Sequence, residues 1–222
     1  MILRVGFVAG VMLACSAAFA AEIFDDFPAS IDPAGRYVIY SHGLIVEGDD
    51  PEPVHPEFGT YEFPAIKRAL FGDGEFNLIA HHRPANTDIG EYIAKLESWV
   101  QALLDAGVAP SRITLVGFSR GAGLTVVAAS KFAEAGINTA LMGVCVDGAI
   151  QGAPDLQLGG NLLSIYEETD VVKSCAGLAQ HSTGLESFRE IAINTGRRHG
   201  AFYKPLPDWM TPLRAWIAQT NH

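Results

Sequence analysis

The chain has 222 residues, of which 49% are hydrophobic and 18% are charged, and its formal net charge is −10. This length fits one domain, and the apolar content is enough for a large core, which excludes a disordered polypeptide. Because an acidic protein repels phosphate groups, we exclude nucleic acid and anionic membrane surfaces as expected partners.

The first twenty residues have the three parts of a secretory signal peptide. Arg4 gives a short positive start, the apolar run Val5–Ala14 follows, and a small-x-small cleavage site ends at Ala20. The run is too short for a membrane span, which needs ~20 apolar residues. We therefore predict a signal peptide over 1–20, no membrane insertion after cleavage, a single domain over 21–222, and a secreted or periplasmic protein.

Three cysteines bear on this interpretation. Cys15 offers an alternative, a lipoprotein signal, although Met12-Leu13-Ala14 before it is an imperfect lipid-attachment box. Cys145 and Cys175 remain after cleavage, and two cysteines in an oxidising compartment often pair. We predict a disulfide between them, with two buried thiols as the alternative.

Six short runs in the mature chain are mostly apolar on both faces and β-branched. Such runs are typical of parallel strands that are buried under helices. In chain order they are Tyr37–Tyr40, Phe76–Ala80, Ile113–Val116, Leu141–Val146, Leu162–Tyr166 and Phe188–Ile193.

Amphipathic segments alternate with these runs. Apolar residues recur at three- and four-residue intervals over Ile89–Leu104, Leu124–Phe132 and Pro207–Gln219, which predicts helices. The alternation predicts an α/β fold with a doubly wound, mainly parallel sheet flanked by helices. Functional loops then lie at the carboxyl ends of the strands, and we expect the long loop Leu44–Phe63 at the rim of the site.

The segment G-F-S-R-G at 117–121 joins the third predicted strand to the next helix. A G-x-S-x-G string is weak by itself, but on a strand-to-helix turn it projects the serine hydroxyl above the sheet. The glycines allow close packing, and the amino end of the helix favours negative charge. This context predicts Ser119 as a nucleophile, with a plain glycine-rich helix start as the alternative.

A serine nucleophile needs a base, and the base needs a carboxylate that holds its tautomer. His199 follows the last predicted strand and precedes the terminal helix, which favours it over the other histidines. Asp170 follows the fifth predicted strand, while Asp147, at the end of the fourth, is the alternative acid. The order Ser119, Asp170, His199 predicts a catalytic triad.

Acyl transfer also requires two backbone N–H groups directed at the oxyanion. We predict that Arg120, directly after the nucleophile, supplies one of them. Leu44, which follows Ser41-His42-Gly43 at the end of the first predicted strand, supplies the other. An ordinary strand-ending turn at Gly43 is the alternative.

In chain order, Ser41-His42-Gly43, the G-F-S-R-G segment, Asp170 and His199-Gly200 resemble the motifs of the α/β-hydrolase superfamily. The resemblance covers nearly the whole mature chain and implies a serine hydrolase. The chain differs from larger members because only the Gly-rich loop 148–160 lies between the fourth and fifth predicted strands, where a lid is usual. We therefore expect no lid domain and no interfacial activation.

Polar residues are dense in the loops after the first two predicted strands. Glu47 and Arg83 either form a surface ion pair, or line the substrate pocket as a paired wall, or leave Arg83 free for a substrate carboxylate. The adjacent His81 and His82 point to opposite faces of a strand and cannot readily share an ion. Since no phosphate-binding loop is present either, we expect neither a metal nor another cofactor.

Together these features predict an exported serine hydrolase that cleaves an ester, thioester or related acyl bond of a small molecule through an acyl-enzyme. Acyltransferase or peptidase activity on the same triad is an alternative. A catalytically silent binding protein is another, because a fold does not determine a function.

Overall fold

The computed structural model describes residues 20–146 and 155–222. The strands in these ranges are β1 (Ile23–Phe24), β2 (Tyr37–Ser41), β3 (Val54–His55), β4 (Gly59–Thr60), β5 (Asn77–Ile79), β6 (Ile113–Phe118), β7 (Asn138–Met142), β8 (Gly159–Glu167) and β9 (Gly184–Ile193). Seven of them form a parallel sheet in the order β1-β5-β2-β6-β7-β8-β9, while β3 pairs with β4 as a small antiparallel hairpin.

The α-helices of the described ranges are α1 (Phe63–Phe71), α2 (Ile89–Asp105), α3 (Arg120–Ser130), α4 (Ala176–His181) and α5 (Pro207–Thr220). Local sequence determines several of their ends. The Asp88 side chain accepts the N–H of Glu91 and caps α2, and Pro207 provides the restricted φ that suits the start of α5. None of these helices is long and apolar enough to cross a membrane.

The helices cover both faces of the sheet, as the two faces of β2 illustrate. Val38 and Tyr40 pack in one core with side chains of α1 and α5. Tyr37 and Ile39 pack in the other core with side chains of α2, α3 and α4. Because alternate residues of a strand point to opposite faces, both faces are buried. This confirms the predicted doubly wound α/β architecture with its mainly parallel sheet.

The fourth predicted strand, Leu141–Val146, is wrong at both ends, because β7 spans Asn138–Met142. Asn138 and Thr139 are polar but almost fully buried, so an apolar run does not mark the start of the strand. Gly143, with φ 55°, ends it. Four elements that no sequence pattern had predicted are β1, α1, α4 and the hairpin of β3 and β4.

The sheet reverses its strand order next to β2. The chain runs from β2 to β5 on one side, returns to β6 on the other side, and then continues outward through β7, β8 and β9. In open α/β sheets, ligands bind beyond the carboxyl ends of the strands at such a reversal. The segments that follow β2, β6, β8 and β9 meet at this edge and form the candidate site.

Candidate active site

Ser119 lies on the turn between β6 and α3, in a backbone conformation that a side chain rarely adopts, with φ 53° and ψ −121°. The turn depends on glycine at two positions. A Cβ on Gly117 would lie 2.5 Å from the Cα of Ala122, and a Cβ on Gly121 would lie 2.1 Å from the carbonyl oxygen of Ser41. The Ser119 N–H donates to the carbonyl of Met142 at 2.9 Å, which fastens the turn to β7.

His199 and Asp170 meet Ser119 from the two strands at the end of the sheet. Asp170 follows β8, and His199 lies in the 3₁₀ segment Arg198–Tyr203 that follows β9. The distance from His199 Nδ1 to Asp170 Oδ2 is 2.6 Å, and the distance from His199 Nε2 to Ser119 Oγ is 2.8 Å. The three predicted side chains therefore form one continuous hydrogen-bonded series.

The hydrogen bonds determine the protonation states of this series. Burial raises the pKa of the Asp170 carboxyl, but the hydrogen bond and the charge of His199 outweigh burial, so that this pKa lies below its ordinary value. An ionised carboxylate only accepts, so Nδ1 of His199 carries the proton. In the tautomer with its proton on Nδ1, Nε2 is the acceptor for the Ser119 hydroxyl.

Glu167, the last residue of β8, holds the loop that carries Asp170. Its Oε1 accepts the N–H and hydroxyl of Thr169, and its Oε2 accepts the N–H and hydroxyl of Thr195 at 2.8 and 2.7 Å. Burial raises the pKa of Glu167, but these hydrogen bonds have the larger effect, so that the pKa lies below its ordinary value. Glu167 therefore links the turns that follow β8 and β9.

Cys145 and Cys175 are joined by a disulfide across 30 positions of the chain. Next to it, the N–H of Lys173 donates to the carbonyl of Cys145 at 2.9 Å. The disulfide thus connects the segment after β7 to the Asp170 loop. The alternative acid, Asp147, lies outside the described residues. So do positions 148–154 of the Gly-rich loop, and the expectation that this loop is not a lid therefore stays a prediction.

The two expected oxyanion donors, Leu44 and Arg120, belong to segments next to Ser119. Arg120 is the first residue of α3, where backbone N–H groups have no intrahelical acceptor. Leu44 begins a 3₁₀ turn, Leu44–Val46, directly after Gly43. Leu44 and Ser119 line one cavity together.

The structure pairs Arg83 with Glu47, which is the paired arrangement among the three expected alternatives. The Arg83 side chain is 0% exposed and lies behind Gly43, with its Nε 3.1 Å from Glu47 Oε1. Glu47 Oε1 also lies 3.2 Å from the Nε of Arg120. The pair is therefore neither a surface ion pair nor a free guanidinium, because the folded chain encloses it.

Two cavities of the described residues open at Ser119 and His199. The first, of about 400 Å³, is called the apolar groove. The second, of about 330 Å³, is called the oxyanion-side pocket because Leu44, an expected oxyanion donor, lines it together with His55 and Tyr203. The apolar side chains of the groove are Ile89, Ile93, Leu124, Val127, Val144 and Val172. Ile89 and Val127 are 49% and 38% exposed, so the mouth of the groove is apolar as well.

Comparison with known proteins identifies structures with the same fold. No family model and no curated protein sequence matches the chain. A hormone-sensitive lipase from a metagenome library is similar in structure, with a TM-score of 0.59 and 16% identity over 85% of this chain and 80% of that one. A protein of unknown function from Agrobacterium tumefaciens, a candidate α/β-hydrolase, has a TM-score of 0.57 and 17% identity over 86% and 88%. A variant of SOBER1 from Arabidopsis thaliana has a TM-score of 0.55 and 14% identity over 84% and 100%.

The chain has the α/β-hydrolase fold. In this fold the strand-to-helix turn that holds Ser119 is the position of a nucleophile, and Ser, acid and His follow one another along the chain in the order seen here. Ser119, Asp170 and His199 stand in this order along the chain.

Several residues of the site were not predicted from the sequence. The aromatic ring of Phe118 lies 4.9 Å from that of His199, and Phe58 lies 6.5 Å from it on the hairpin loop. Val144 and Val172 reach the apolar groove from the two segments that the disulfide links. Among them, Phe118 alone has a signal in the sequence, because it directly precedes Ser119 in the G-F-S-R-G segment.

The described part of this α/β-hydrolase fold contains no group of three or more His, Cys, Asp or Glu residues that could hold a metal ion. The Ser119 hydroxyl and Nε2 of His199 lie 2.8 Å apart, which is close enough for proton transfer between them.

Proposed function

We propose that this protein is an exported serine hydrolase that cleaves esters, thioesters or related acyl bonds, with Ser119 as its nucleophile. The observation that carries the proposal is the hydrogen-bonded series from Asp170 through His199 to Ser119. The strained turn at Ser119 supports it, because strain at such a residue is commonly retained for function. Several solved proteins that share the fold are described as lipases or esterases.

In the proposed reaction, Ser119 Oγ attacks the acyl carbon while Nε2 of His199 takes the hydroxyl proton. Asp170 holds the Nδ1–H tautomer and stabilises the ring when it becomes charged. The tetrahedral intermediate then breaks its bond to the leaving oxygen or sulfur, which receives the proton from His199. Water repeats the sequence on the acyl-enzyme, which releases the acid and restores Ser119.

The N–H groups of Leu44 and Arg120 are proposed to stabilise the oxyanion of this intermediate. Leu44 begins the 3₁₀ turn after β2 and lines a cavity with Ser119. Arg120 directly follows Ser119, at the positive amino end of α3. Preorganised donors of this kind contribute ~10²–10³-fold to kcat each.

The apolar groove favours an acyl chain as the group that it binds. Six aliphatic side chains line it, and its volume of about 400 Å³ suits a small ligand. A hydrocarbon chain gains ~0.8 kcal/mol for each buried methylene, so chain length should determine affinity. We propose a small-molecule ester with an apolar acyl chain as the preferred substrate.

Export through a signal peptide over residues 1–20, with one mature domain over 21–222, completes the proposal. The disulfide between Cys145 and Cys175 supports it, because disulfides persist in oxidising compartments.

A panel of acyl esters, thioesters and amides of graded chain length tests the proposal on the wild-type protein and on Ser119→Ala. We expect kcat/KM to rise with acyl length until the groove is full, and Ser119→Ala to lose ~10⁶-fold in kcat while it remains folded. Near-normal turnover by Ser119→Ala would contradict the assignment. Folded wild-type protein that turns over no member of the panel would favour the silent binding protein instead.

A further inference from the structure

Arg83 is a fully buried arginine that contacts the backbone next to the proposed oxyanion donor. Its Nη2 donates to the carbonyl oxygen of His42 and, at 3.3 Å, to the carbonyl oxygen of Gly43. These carbonyls belong to the loop between β2 and the 3₁₀ turn that starts at Leu44. One planar guanidinium group thus holds two successive peptide groups.

His42 completes this contact from the other side. Its Nε2 accepts the backbone N–H of Arg83 at 2.9 Å, and its Nδ1–H donates to the carbonyl of Gly43 at 2.8 Å. Burial holds the pKa of His42 well below its ordinary value, and the charge of Arg83 lowers it further. The ring is therefore neutral, and both of its nitrogens bind the backbone.

The orientation of the Leu44 N–H follows from these contacts. The carbonyl of Gly43 and the N–H of Leu44 belong to one trans peptide group, in which they point in opposite directions. Arg83 and His42 both bind the carbonyl, so they fix the plane of this peptide and turn the N–H of Leu44 away from Arg83. Leu44 and Ser119 line the oxyanion-side pocket together.

Glu47 extends the same network to the second oxyanion donor. Its Oε1 lies 3.1 Å from Nε of Arg83 and 3.2 Å from Nε of Arg120. Arg120 contributes its backbone N–H at the start of α3, and its side chain reaches back to the carboxylate. One carboxylate oxygen thus connects the loop after β2, the loop after β5 and the turn after β6.

We propose that Arg83, anchored by Glu47, is a positioning residue that fixes the Leu44 peptide group in the orientation needed for the oxyanion. This inference rests on the proposed function of Ser119. A buried ion pair is weak support for stability, because apolar replacements of similar volume are often as stable. The Arg83 guanidinium contacts two carbonyls and one carboxylate at once, and these contacts fix the orientation of the peptide groups of His42 and Gly43.

The test compares Arg83→Met, Arg83→Lys and Glu47→Gln with the wild-type protein on the best ester of the panel. We expect Arg83→Met to lower kcat ~100-fold with KM changed less than about twofold, because misplacing an oxyanion donor affects the transition state alone. Glu47→Gln should lower kcat ~10-fold. Arg83→Lys should lie between them, since an ammonium group cannot hold two carbonyls and a carboxylate in one plane.

The matched control is Glu97→Gln. Glu97 lies on α2, where it pairs with Lys131 at 2.6 Å on the surface. This variant makes the same chemical change as Glu47→Gln away from the site, and its kcat should equal that of the wild-type protein.

A second readout separates positioning from general loosening of the structure. An alkyl trifluoromethyl ketone forms an oxyanion when a serine adds to it, whereas the matching alkyl methyl carbinol has the same chain and no oxyanion. In the Arg83 and Glu47 variants, Ki for the ketone should rise in proportion to the loss in kcat/KM, and Ki for the carbinol should stay constant.

Three results would overturn the inference. One is an equal loss of affinity for both inhibitors, and another is a loss confined to KM. The third is wild-type kcat in both Glu47→Gln and Arg83→Lys, which decides the matter even if Arg83→Met fails to fold. Wild-type protein that neither turns over an ester nor is inhibited by the ketone would instead overturn the proposed function, and this inference with it.

Discussion

The turn of the proposed nucleophile, residues 117–121, and the loop of the proposed oxyanion donor, residues 41–47, lie side by side but are held by different interactions. They are called the nucleophile turn and the oxyanion loop below. The nucleophile turn depends on glycines, because they allow two backbone segments to pack in contact. A Cβ on Gly121 would collide with the carbonyl oxygen of Ser41. Buried side chains from distant positions hold the oxyanion loop, above all Arg83 through the carbonyls of His42 and Gly43.

This difference in the interactions shows how far the structure of each region depends on the residues within it. A turn shaped by glycine is encoded within five residues and is readable as a motif. A loop held by Arg83 is encoded some 40 positions away, with sequence separations of 41 and 40 for the two hydrogen bonds. Substitutions should therefore affect the first region through sterics and the second through polar contacts.

After loss of the nucleophile, the largest expected effect comes from the proposed acid Asp170, which lies on a third loop that is also held by side chains. Asp170→Asn should lower kcat ~10⁴-fold, because an amide in place of the carboxylate leaves His199 in the wrong tautomer. Asp147→Asn, at the position of the alternative acid, should leave kcat near the wild-type value. A large loss in Asp147→Asn with little change in Asp170→Asn would move the acid to the segment after β7.

The disulfide between Cys145 and Cys175 holds the Asp170 loop by a covalent bond, whereas polar contacts hold the oxyanion loop. Replacing both Cys145 and Cys175 by serine should lower the free energy of unfolding by ~3–4 kcal/mol, as expected for opening a loop of 30 positions. Denaturant unfolding of the oxidised wild-type protein and the variant measures the difference. Equal stability, together with two free thiols in the unreduced wild-type protein by mass spectrometry, would contradict the bond.

Gly121→Ala and Gly123→Ala form a matched pair on α3 that tests the steric side of the comparison. The added Cβ at Gly121 meets the backbone of Ser41 and His42, whereas at Gly123 it meets nothing within 4 Å. Gly121→Ala should cost ~1–3 kcal/mol of stability through overpacking. Gly123→Ala should gain ~0.5–1 kcal/mol, because alanine suits a helix better than glycine does. Equal effects at both positions would argue against the close approach of the two regions.

The smallest expected effect is a pH dependence that comes from the oxyanion loop. Burial, Arg83, His82 and His81 all lower the pKa of His42, so the folded state keeps this ring neutral. Below pH ~6.5 the unfolded chain binds a proton that the folded chain does not, so stability falls as the pH falls. Between pH 7.5 and pH 5.5 the wild-type protein should lose ~1 kcal/mol more stability than His42→Gln, whose amide oxygen can still accept the N–H of Arg83.

Unfolding curves at the two pH values measure this loss. The control is His222→Gln, at the exposed carboxyl terminus, which should keep the wild-type difference. If His42→Gln and the wild-type protein lose the same stability, the ring of His42 is not held neutral.

The sequence predicted the parts of the fold that local patterns encode. Most strands and the α2 and α5 helices follow from apolar runs and helical periodicity, and Ser119, Asp170 and His199 follow from motif and chain order. The start of β7 was missed because buried Asn138 and Thr139 are polar. The α1 helix was missed although Phe63, Ile66 and Leu70 have helical spacing, and the two-residue strand β1 is too short for any periodicity.

The positions of Arg83 and Glu47 could not be predicted in the same way. Because polar residues cluster in their loops, the alternatives were a surface ion pair or a place beside the substrate. The sequence does not show which face of a loop points inward, and the partners of Arg83 are backbone carbonyls, which every residue possesses. Only the fold, by placing β5 next to β2, brings this side chain behind Gly43.

The most direct test of the central claim is mass spectrometry of the folded mature protein after incubation with an alkyl fluorophosphonate. We predict one adduct per chain, located on the peptide that contains Ser119, and no adduct on His199→Ala under the same conditions. An unmodified wild-type protein, or an adduct on a residue other than Ser119, would contradict the account.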